Sequence, residues 1–318
     1  MYLRKALIGI LTLLEIIVIL IIPTQISADV SNASVTAGNL LPFPQSIACD
    51  STTKSLSSNT TVALSCWVVI NDSNGYQNID GLADASRAVQ MELLNATENW
   101  NMAIYSSDAP YTRSRYYNSS CAVVASACST GYTCTYNCSF KIWYNTWGSA
   151  SADWQIMINI TDESGGNSQW ALNRTSYVTI QTLNAYSFTG EANNAITFGS
   201  VNPGAQSAEQ TTPFWNTGNI VLDSQTNASA DMTCQYGSIN ITNIRYNTTA
   251  SSGWTIMAPM DYSQSNTHAI LYTNFDLAPS TDYSAPVDPS SKDIYWVLNV
   301  PSGAGGTCWA SIEVGSKT

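Results

Sequence analysis

A glutamine and two glutamates stand in two runs of alternating apolar and polar residues, 87–94 and 309–314, where they could do acid–base chemistry. Side chains alternate between the two faces of a strand, so Gln90 and Glu92 share the face opposite the apolar positions, and Glu313 lies on the polar face of its own run. A carboxylate can activate water as a general base, and an amide can donate a hydrogen bond to a developing oxyanion. We therefore take Gln90, Glu92 and Glu313 as candidate catalytic residues. An ordinary solvated sheet face has the same composition.

Three tryptophans could provide flat apolar surfaces for a polymeric substrate. Trp309 lies on the same polar face as Glu313, and Trp67 and Trp154 lie in other alternating runs. Aromatic rings can line a binding groove, but most of them pack in a protein core. The sequence names Trp309, Trp67 and Trp154 as candidate substrate-binding residues and leaves a core position as the alternative for each.

Other kinds of catalysis have little support in the sequence. The chain contains one histidine, His268, and no nucleophile motif surrounds it, which argues against a Ser-His-Asp triad, a Cys-His pair and an HExxH zinc site. The loop 72–80 is rich in Asp and Asn but lacks the terminal acidic ligand of a known calcium loop. We expect no metal and no cofactor.

The order of several strand patterns resembles the glutamic peptidases, or eqolisins, which are acid-active endopeptidases with a catalytic Gln and Glu on a jelly-roll sandwich. Residues 65–71 resemble the family's Trp-Val-Gly-Ile-Asp strand, and 88–90 lies where the strand of the catalytic Gln follows. Residues 153–162 are similar to a strand with its Asp/Thr turn, and 235–243 resembles the segment Phe-Gly-x-Val-x-Phe-Thr-Asn. The resemblance spans roughly residues 64–300.

This resemblance implies that Gln90 donates its amide to the oxyanion while a carboxylate activates water. The family's Glu strand corresponds to residues 195–200, which contain no carboxylate. Either another carboxylate replaces it, or the chain keeps the sandwich without the activity. The carboxylates that could replace it are Glu92 and Glu313 by strand face, and Glu191 and Glu209 by proximity in sequence.

A second resemblance is to the β-sandwich cellulases of glycosidase family twelve. The run 154–159 is similar to that family's Glu-x-Met-x-Trp nucleophile strand, but Gln155 stands where the Glu belongs and Asn159 where the Trp belongs. Retaining hydrolysis needs two carboxylates about 5 Å apart. The glutamine therefore argues against cellulase activity.

The elements that would position these residues are short strands. No segment longer than about ten residues keeps a 3.6-residue apolar period, whereas alternating runs bounded by Gly, Asn, Ser and Pro recur. The clearest runs are 63–70, 88–94, 140–143, 154–160, 177–183, 238–246, 254–257, 269–275, 294–300 and 309–314. We predict an all-β fold, a concanavalin-like or jelly-roll sandwich of two antiparallel sheets.

The chain is expected to divide into a leader, an arm and one large domain. Residues 1–28 are predicted to be a signal peptide, or a membrane anchor if the apolar run 6–22 is not removed. Residues 29–62 would form a Ser/Thr/Asn-rich arm, and 63–318 a single large β-sandwich. A disulfide-tied surface insertion is predicted at 106–138.

Cysteines and glycosylation motifs indicate an oxidising compartment, so the protein is expected to be extracellular or on the cell surface. The even number of cysteines permits complete pairing, with two bridges expected inside the insertion, but the sequence does not reveal which cysteines pair. The eight cysteines are Cys49, Cys66, Cys121, Cys128, Cys134, Cys138, Cys234 and Cys308. The predicted glycosylation sites are Asn32, Asn59, Asn71, Asn95, Asn118, Asn137, Asn159, Asn173, Asn227, Asn240 and Asn247.

The charge composition limits the classes of partner that the protein could bind. Charged residues make up 10% of the chain, with 22 acidic and 11 basic side chains, against about 25% charged residues in ordinary globular proteins. Hydroxyls, amides and glycans must therefore supply much of the solubility. The excess of acidic residues argues against nucleic-acid binding, which needs clusters of Lys and Arg.

The sequence favours a secreted or surface-attached N-glycosylated β-sandwich protein, a degenerate relative of the glutamic peptidases. An acid-active endopeptidase that uses Gln90 and a carboxylate is one alternative, and a carbohydrate-binding or glycoside-hydrolase sandwich is another. An enzyme would act on a polypeptide or polysaccharide, whereas a structural protein would bind envelope components. Membrane contact is expected only through residues 6–22, if they are kept.

Overall fold

The computed structural model of the chain describes residues 38–80, 89–95, 113–118, 121–124, 128, 131–148, 154–163, 167–170, 178–188, 195–260, 270–271, 275–281 and 288–317. Asn39–Thr318 form one compact unit. The predicted leader lies outside the described residues. Within the part of the chain that is described, no helix is long and apolar enough to cross a membrane.

The fold is all-β, as the sequence predicts. The strands are β1 (Phe43–Cys49), β2 (Thr53–Lys54), β3 (Thr61–Asn71), β4 (Val89–Asn95), β5 (Arg115–Asn118), β6 (Ala122–Val123), β7 (Thr133–Trp143), β8 (Trp154–Thr161), β9 (Asn167–Trp170), β10 (Thr179–Ile180), β11 (Tyr186–Phe188), β12 (Gln210–Asn216), β13 (Asp223–Ala228), β14 (Met232–Tyr236), β15 (Ser238–Ile239), β16 (Ile244–Asn247), β17 (Ala258–Pro259), β18 (Ile270–Leu271), β19 (Ser290–Leu298), β20 (Gly305–Trp309) and β21 (Ile312–Lys317). A single helical turn, Gln77–Asp80, and a 3₁₀ turn, Ile241–Asn243, interrupt them.

The first half of the described chain forms two four-stranded sheets, in the orders β1-β3-β7-β6 and β5-β4-β8-β9. Their ladders are antiparallel. Strand β3 alternates between buried and half-buried side chains, and its buried residues pack with those of β7, β4 and β8 in one apolar cluster, the first core. Alternating apolar residues thus form the interior of a sandwich.

The second half forms a five-stranded sheet, β11-β12-β19-β16-β17, and two three-stranded sheets, β18-β13-β21 and β15-β14-β20. Buried residues of these sheets, including Phe214, Tyr246 and Trp296, make a separate apolar cluster, the second core. The alternating runs predict antiparallel sheets but do not show that the buried apolar residues divide into two clusters.

The predicted arm and insertion both contribute strands to the first sandwich. Strand β1 lies in the predicted arm, 29–62, and pairs along its length with β3. Strand β7 begins inside the predicted insertion, 106–138, and pairs with β3 from Thr133 to Trp143. Cys134, Tyr136 and Cys138 alternate with polar residues and are buried in the first core. This part of the insertion is therefore an interior strand of its sheet.

All eight cysteines are paired. The bridges are Cys49–Cys66, Cys121–Cys138, Cys128–Cys134 and Cys234–Cys308. The four cysteines of the predicted insertion pair with one another, as expected. Cys49–Cys66 and Cys234–Cys308 link directly opposed residues of neighbouring strands.

Several of the predicted strands differ from the structure. The run 238–246 is divided among β15, the 3₁₀ turn and β16, and only Thr179–Ile180 of the run 177–183 forms a named strand. Residues 254–257 form a turn before β17. The Arg245 side chain donates a hydrogen bond of 2.6 Å to the carbonyl oxygen of Trp254. Its guanidinium carbon lies 4.5 Å from the centre of the Trp254 ring. The run 309–314 is divided between β20 and β21, which belong to different sheets. Its predicted faces are retained, because Trp309 and Glu313 are exposed while the intervening apolar residues pack against the second core.

A buried amide joins segments of the two halves. Asn219, 3% exposed, lies after β12. Its Nδ2 donates to the carbonyl oxygens of Thr146 at 2.9 Å and Gln181 at 3.0 Å, and its Oδ1 accepts from the Leu183 N–H at 2.6 Å. Arg113 donates from its Nη2 to the Asn219 carbonyl oxygen at 3.1 Å. Hydrogen bonds of Asn219 therefore connect the chain around the first core to the chain around the second.

Candidate functional site

Gln90 lies on β4, between β5 and β8, and its side chain is half-buried. Asn159 is directly opposite on β8. The Asn159 Nδ2 donates a hydrogen bond of 3.1 Å to Gln90 Oε1. Gln90 is therefore bound to an amide of the neighbouring strand, through the oxygen of its own side-chain amide.

Glu92, two residues further along β4, is 3% exposed. Arg115 on β5 donates from Nε to Glu92 Oε1 at 2.9 Å. The sequence placed Glu92 on a face open to substrate or solvent, which is wrong because every residue from Met91 to Asn95 is buried. A buried carboxylate needs a compensating charge, and the guanidinium supplies it. Glu92 is therefore an ion-pair residue of the interior.

Glu313 is exposed and lies on β21, opposite Asn227 of β13. Its sheet surrounds the second core, whereas the sheet of Gln90 surrounds the first. Gln90 and Glu313 therefore stand on different sheets and different cores. Among the described residues, Glu313 is thus not positioned to act with Gln90.

The three candidate tryptophans have three different environments. Trp154 is completely buried, donates from Nε1 to the carbonyl oxygen of Trp147 at 3.1 Å, and lies 6.0 Å from Tyr116 between ring centres. Its predicted substrate-binding role is wrong, because it is a core residue with a satisfied indole N–H. Trp67 is half-buried on the outer side of β3, next to Asn137 of β7. Trp309 is 66% exposed at the end of β20.

Of the remaining acid–base candidates, Glu209 lies in the part of the chain that the structure describes. Glu191 and His268 lie outside the described residues, and Glu209 accepts hydrogen bonds from the Ser251 N–H at 3.0 and 3.2 Å. Desolvation raises the pKa of the Tyr295 phenol, and the negative charges of Asp293 and Glu209 raise it further. This phenol thus stays protonated at neutral pH. No group of three or more His, Cys, Asp or Glu side chains suited to a metal ion occurs among the described residues.

Two adjoining cavities open beside the second core. The larger, about 680 Å³, lies between the segment 195–201 and β20 and includes Trp309 in its wall. The smaller, about 570 Å³, lies along β21 and includes Glu313. Phe188 and Ile312 line both cavities, so the two cavities adjoin at these side chains. The segment that the peptidase resemblance aligned with the Glu strand is thus a cavity wall without a carboxylate.

The sequence missed two other residues of this region, Tyr186 and Gln225. Strand β13, which carries Gln225, reads Asp-Ser-Gln-Thr-Asn-Ala and has no apolar alternation, although Ser224 and Thr226 point inward and are buried. Strand β11, which carries Tyr186, is only three residues long. Hydrophobic periodicity therefore gave no signal for either strand.

The predicted glycosylation sites differ greatly in exposure. Asn59 and Asn240 are exposed, whereas Asn95 is 2% exposed. A glycan on the Asn95 amide has no room in the folded chain, so the structure contradicts that site. The half-buried sites are Asn71, Asn118, Asn137, Asn159, Asn227 and Asn247. Asn32 and Asn173 lie outside the described residues.

Comparison with known proteins gives no family for the chain. No protein-family model matches it, and no curated protein matches it. Among solved structures, it is similar to a purple acid phosphatase from seeds of yellow lupin, Lupinus luteus, with a TM-score of 0.26 and 8% sequence identity. That match covers 85% of this chain and 40% of the phosphatase chain. A similarity of this size carries no argument about fold or function.

Proposed function

We propose that this chain is an exported, N-glycosylated β-sandwich protein with a structural or binding role at the cell surface, and that it is not a hydrolase. The observation that carries the proposal is the state of its candidate catalytic groups. Glu92 is held by Arg115 in a buried ion pair, whereas the hydrogen bond from Asn159 occupies only the Gln90 side-chain oxygen and not its NH₂ donor. An acid endopeptidase of the glutamic type needs both groups to face a common water molecule.

Four disulfides support the extracellular part of the proposal. Paired cysteines are typical of extracellular proteins, because cytosolic thiol systems keep most cysteines reduced. The apolar run 6–22 and the sequons point in the same direction. In this proposal the protein is a relative of the glutamic peptidases that has kept a sandwich and lost the catalytic carboxylate. Its partners would then be components of the cell envelope.

The proposal predicts no acid peptidase activity. Purified protein, incubated with an unfolded polypeptide at about pH 3, where most free carboxyls are protonated, should yield no more new amino termini than a buffer blank. Gln90→Ala and the control Gln206→Ala, which removes an exposed amide elsewhere, should give the same result. Cleavage that persists in Gln206→Ala and disappears in Gln90→Ala would show that the protein is an enzyme.

Sequon exposure predicts which sites carry glycans. Asn59 and Asn240 should be occupied in protein recovered from outside the producing cells, because both side chains are exposed. Asn95 should be unmodified, because a glycan there would have to displace the buried packing of β4. Glycopeptide mass spectrometry measures the occupancy of each site. A glycan on Asn95 in soluble, folded protein would contradict the structure around β4.

A further inference from the structure

The smaller cavity is an open groove along β21, which we call the β21 groove. Its lining residues are Tyr186, Phe188, Gln225, Asn227 and the segment 312–315. Its floor is the outer face of β13 and β21, where Asn227 is opposite Glu313 and Gln225 is opposite Gly315. The larger cavity adjoins it at Phe188 and Ile312, and Trp309 lies in the wall of that larger cavity.

Tyr186 is a fixed aromatic surface at the side of this groove. Its ring stacks on Phe214 of the second core, with 5.2 Å between ring centres and 7° between planes. Its hydroxyl donates to the Val314 carbonyl oxygen at 3.0 Å. The side chain is nevertheless 40% exposed. One side of the ring is therefore held by the core while part of its surface stays available to a ligand.

Polar groups lie beside the aromatic surfaces. The Gln225 side chain packs over Gly315, because a β-carbon added to Gly315 would come within 3.0 Å of Gln225 Nε2. Glu313 is exposed and offers two acceptor oxygens. The groove thus combines amides, one carboxylate and the exposed ring of Tyr186, and the adjoining larger cavity adds the exposed ring of Trp309. Ligand sites of this kind use apolar surface for affinity and a few polar groups for orientation.

The lining excludes several classes of ligand. None of the residues that line either cavity is Lys, Arg or His, so phosphate groups and other anions would meet Glu313 without a compensating cation. Addition of a peptide strand to β21 is hindered at its edge, because Tyr186 already donates to the Val314 carbonyl oxygen and Ser316 donates to Asn184 Oδ1 at 2.7 Å.

We infer that the β21 groove binds a neutral oligosaccharide chain that extends from Tyr186 and Glu313 to Trp309. A pyranose ring has C–H groups on its faces, which can stack on an aromatic ring and leave water. Its hydroxyls donate to a carboxylate and exchange hydrogen bonds with amides. The occupant is an external glycan and not one attached to Asn227, because Asn227 is a half-buried residue within the paired strand β13. The inference rests on the proposed function only in that the sugar is bound without being cleaved.

Calorimetric titration of the whole folded protein tests the inference. The probes are maltohexaose, cellohexaose, mannohexaose and chitohexaose, each to about 5 mM, where even an affinity of about −4 kcal/mol is measurable. We expect at least one to bind. Trp309→Ala should weaken that binding about tenfold, which corresponds to about 1.4 kcal/mol, and Glu313→Ala should also weaken it. Both side chains are exposed, so neither change should unfold the protein.

The matched control is Trp147→Ala, which removes a tryptophan that is 49% exposed outside the cavity linings. It should leave the dissociation constant unchanged. The inference is overturned if no probe binds, if Trp309→Ala and Trp147→Ala behave alike, or if mass spectrometry finds a glycan on Asn227. Release of shorter sugars during binding would support the site and contradict the proposed function. Absence of both binding and cleavage would overturn the site and leave the proposed function standing.

Discussion

Replacing Asn219 with alanine is expected to lower the free energy of unfolding by about 4 kcal/mol, because three buried main-chain groups lose their partner at about 1–3 kcal/mol each. These groups are the carbonyl oxygens of Thr146 and Gln181 and the N–H of Leu183. The backbone packs closely against this amide, since a β-carbon added to Gly148 would clash with Asn219 Nδ2.

Chemical denaturation of wild type and variant measures this loss. Because Asn219 connects segments around the two cores, we also expect the variant to unfold in a broader or two-step transition. The control is Asn202→Ala, an exposed asparagine in a turn, which should change stability by less than about 0.5 kcal/mol. A loss below about 1 kcal/mol for Asn219→Ala would show that the amide is not a buried link.

Removal of the Cys234–Cys308 bridge, with both cysteines changed to serine, should also cost about 4 kcal/mol, because the size of the closed loop sets the entropy that the bridge removes from the unfolded chain. These cysteines are 74 residues apart, whereas Cys128 and Cys134 are only 6 apart. The corresponding double serine variant of the shorter bridge should cost about 2 kcal/mol.

The comparison between the two bridges is the informative part of this experiment. Thermal and denaturant unfolding of both double variants, measured under identical conditions, gives the order directly. We expect removal of the Cys234–Cys308 bridge to lower the free energy of unfolding more than removal of the Cys128–Cys134 bridge. The opposite order would mean that local structure around Cys128 contributes more to stability than loop closure does. It would contradict the expectation that loop size sets the stability each bridge provides.

Alternation in the run 309–314 predicted which positions are exposed but not which strands they pair with. In 309–314 the exposed and packed positions are as predicted, but the hydrogen-bond partner changes from β14 to β13 between Trp309 and Ile312. No Gly or Pro marks this change. Side-chain alternation reports which side of the backbone faces the core, and it carries no information about the neighbouring strand.

The environments of several residues depend on contacts with distant parts of the chain, which local sequence patterns do not predict. The polar position of Glu92 in an apolar run was visible in the sequence, but its burial and its ion pair with Arg115, 23 residues away, depend on the pairing of β4 with β5. The turn at 254–257 has strand-forming residues and is fixed instead by contacts with Arg245. In both places a tertiary contact overrides the local propensity.

The most direct test of the central claim is a crystal structure of the protein grown at about pH 3, where a glutamic peptidase would be in its working protonation state. The account predicts that Asn159 Nδ2 still lies near 3.1 Å from Gln90 Oε1 and that Arg115 Nε still lies near 2.9 Å from Glu92 Oε1. A Gln90 amide turned towards a carboxylate, with one ordered water between the two groups, would contradict the proposal that the chain is not a hydrolase. It would support an acid endopeptidase instead.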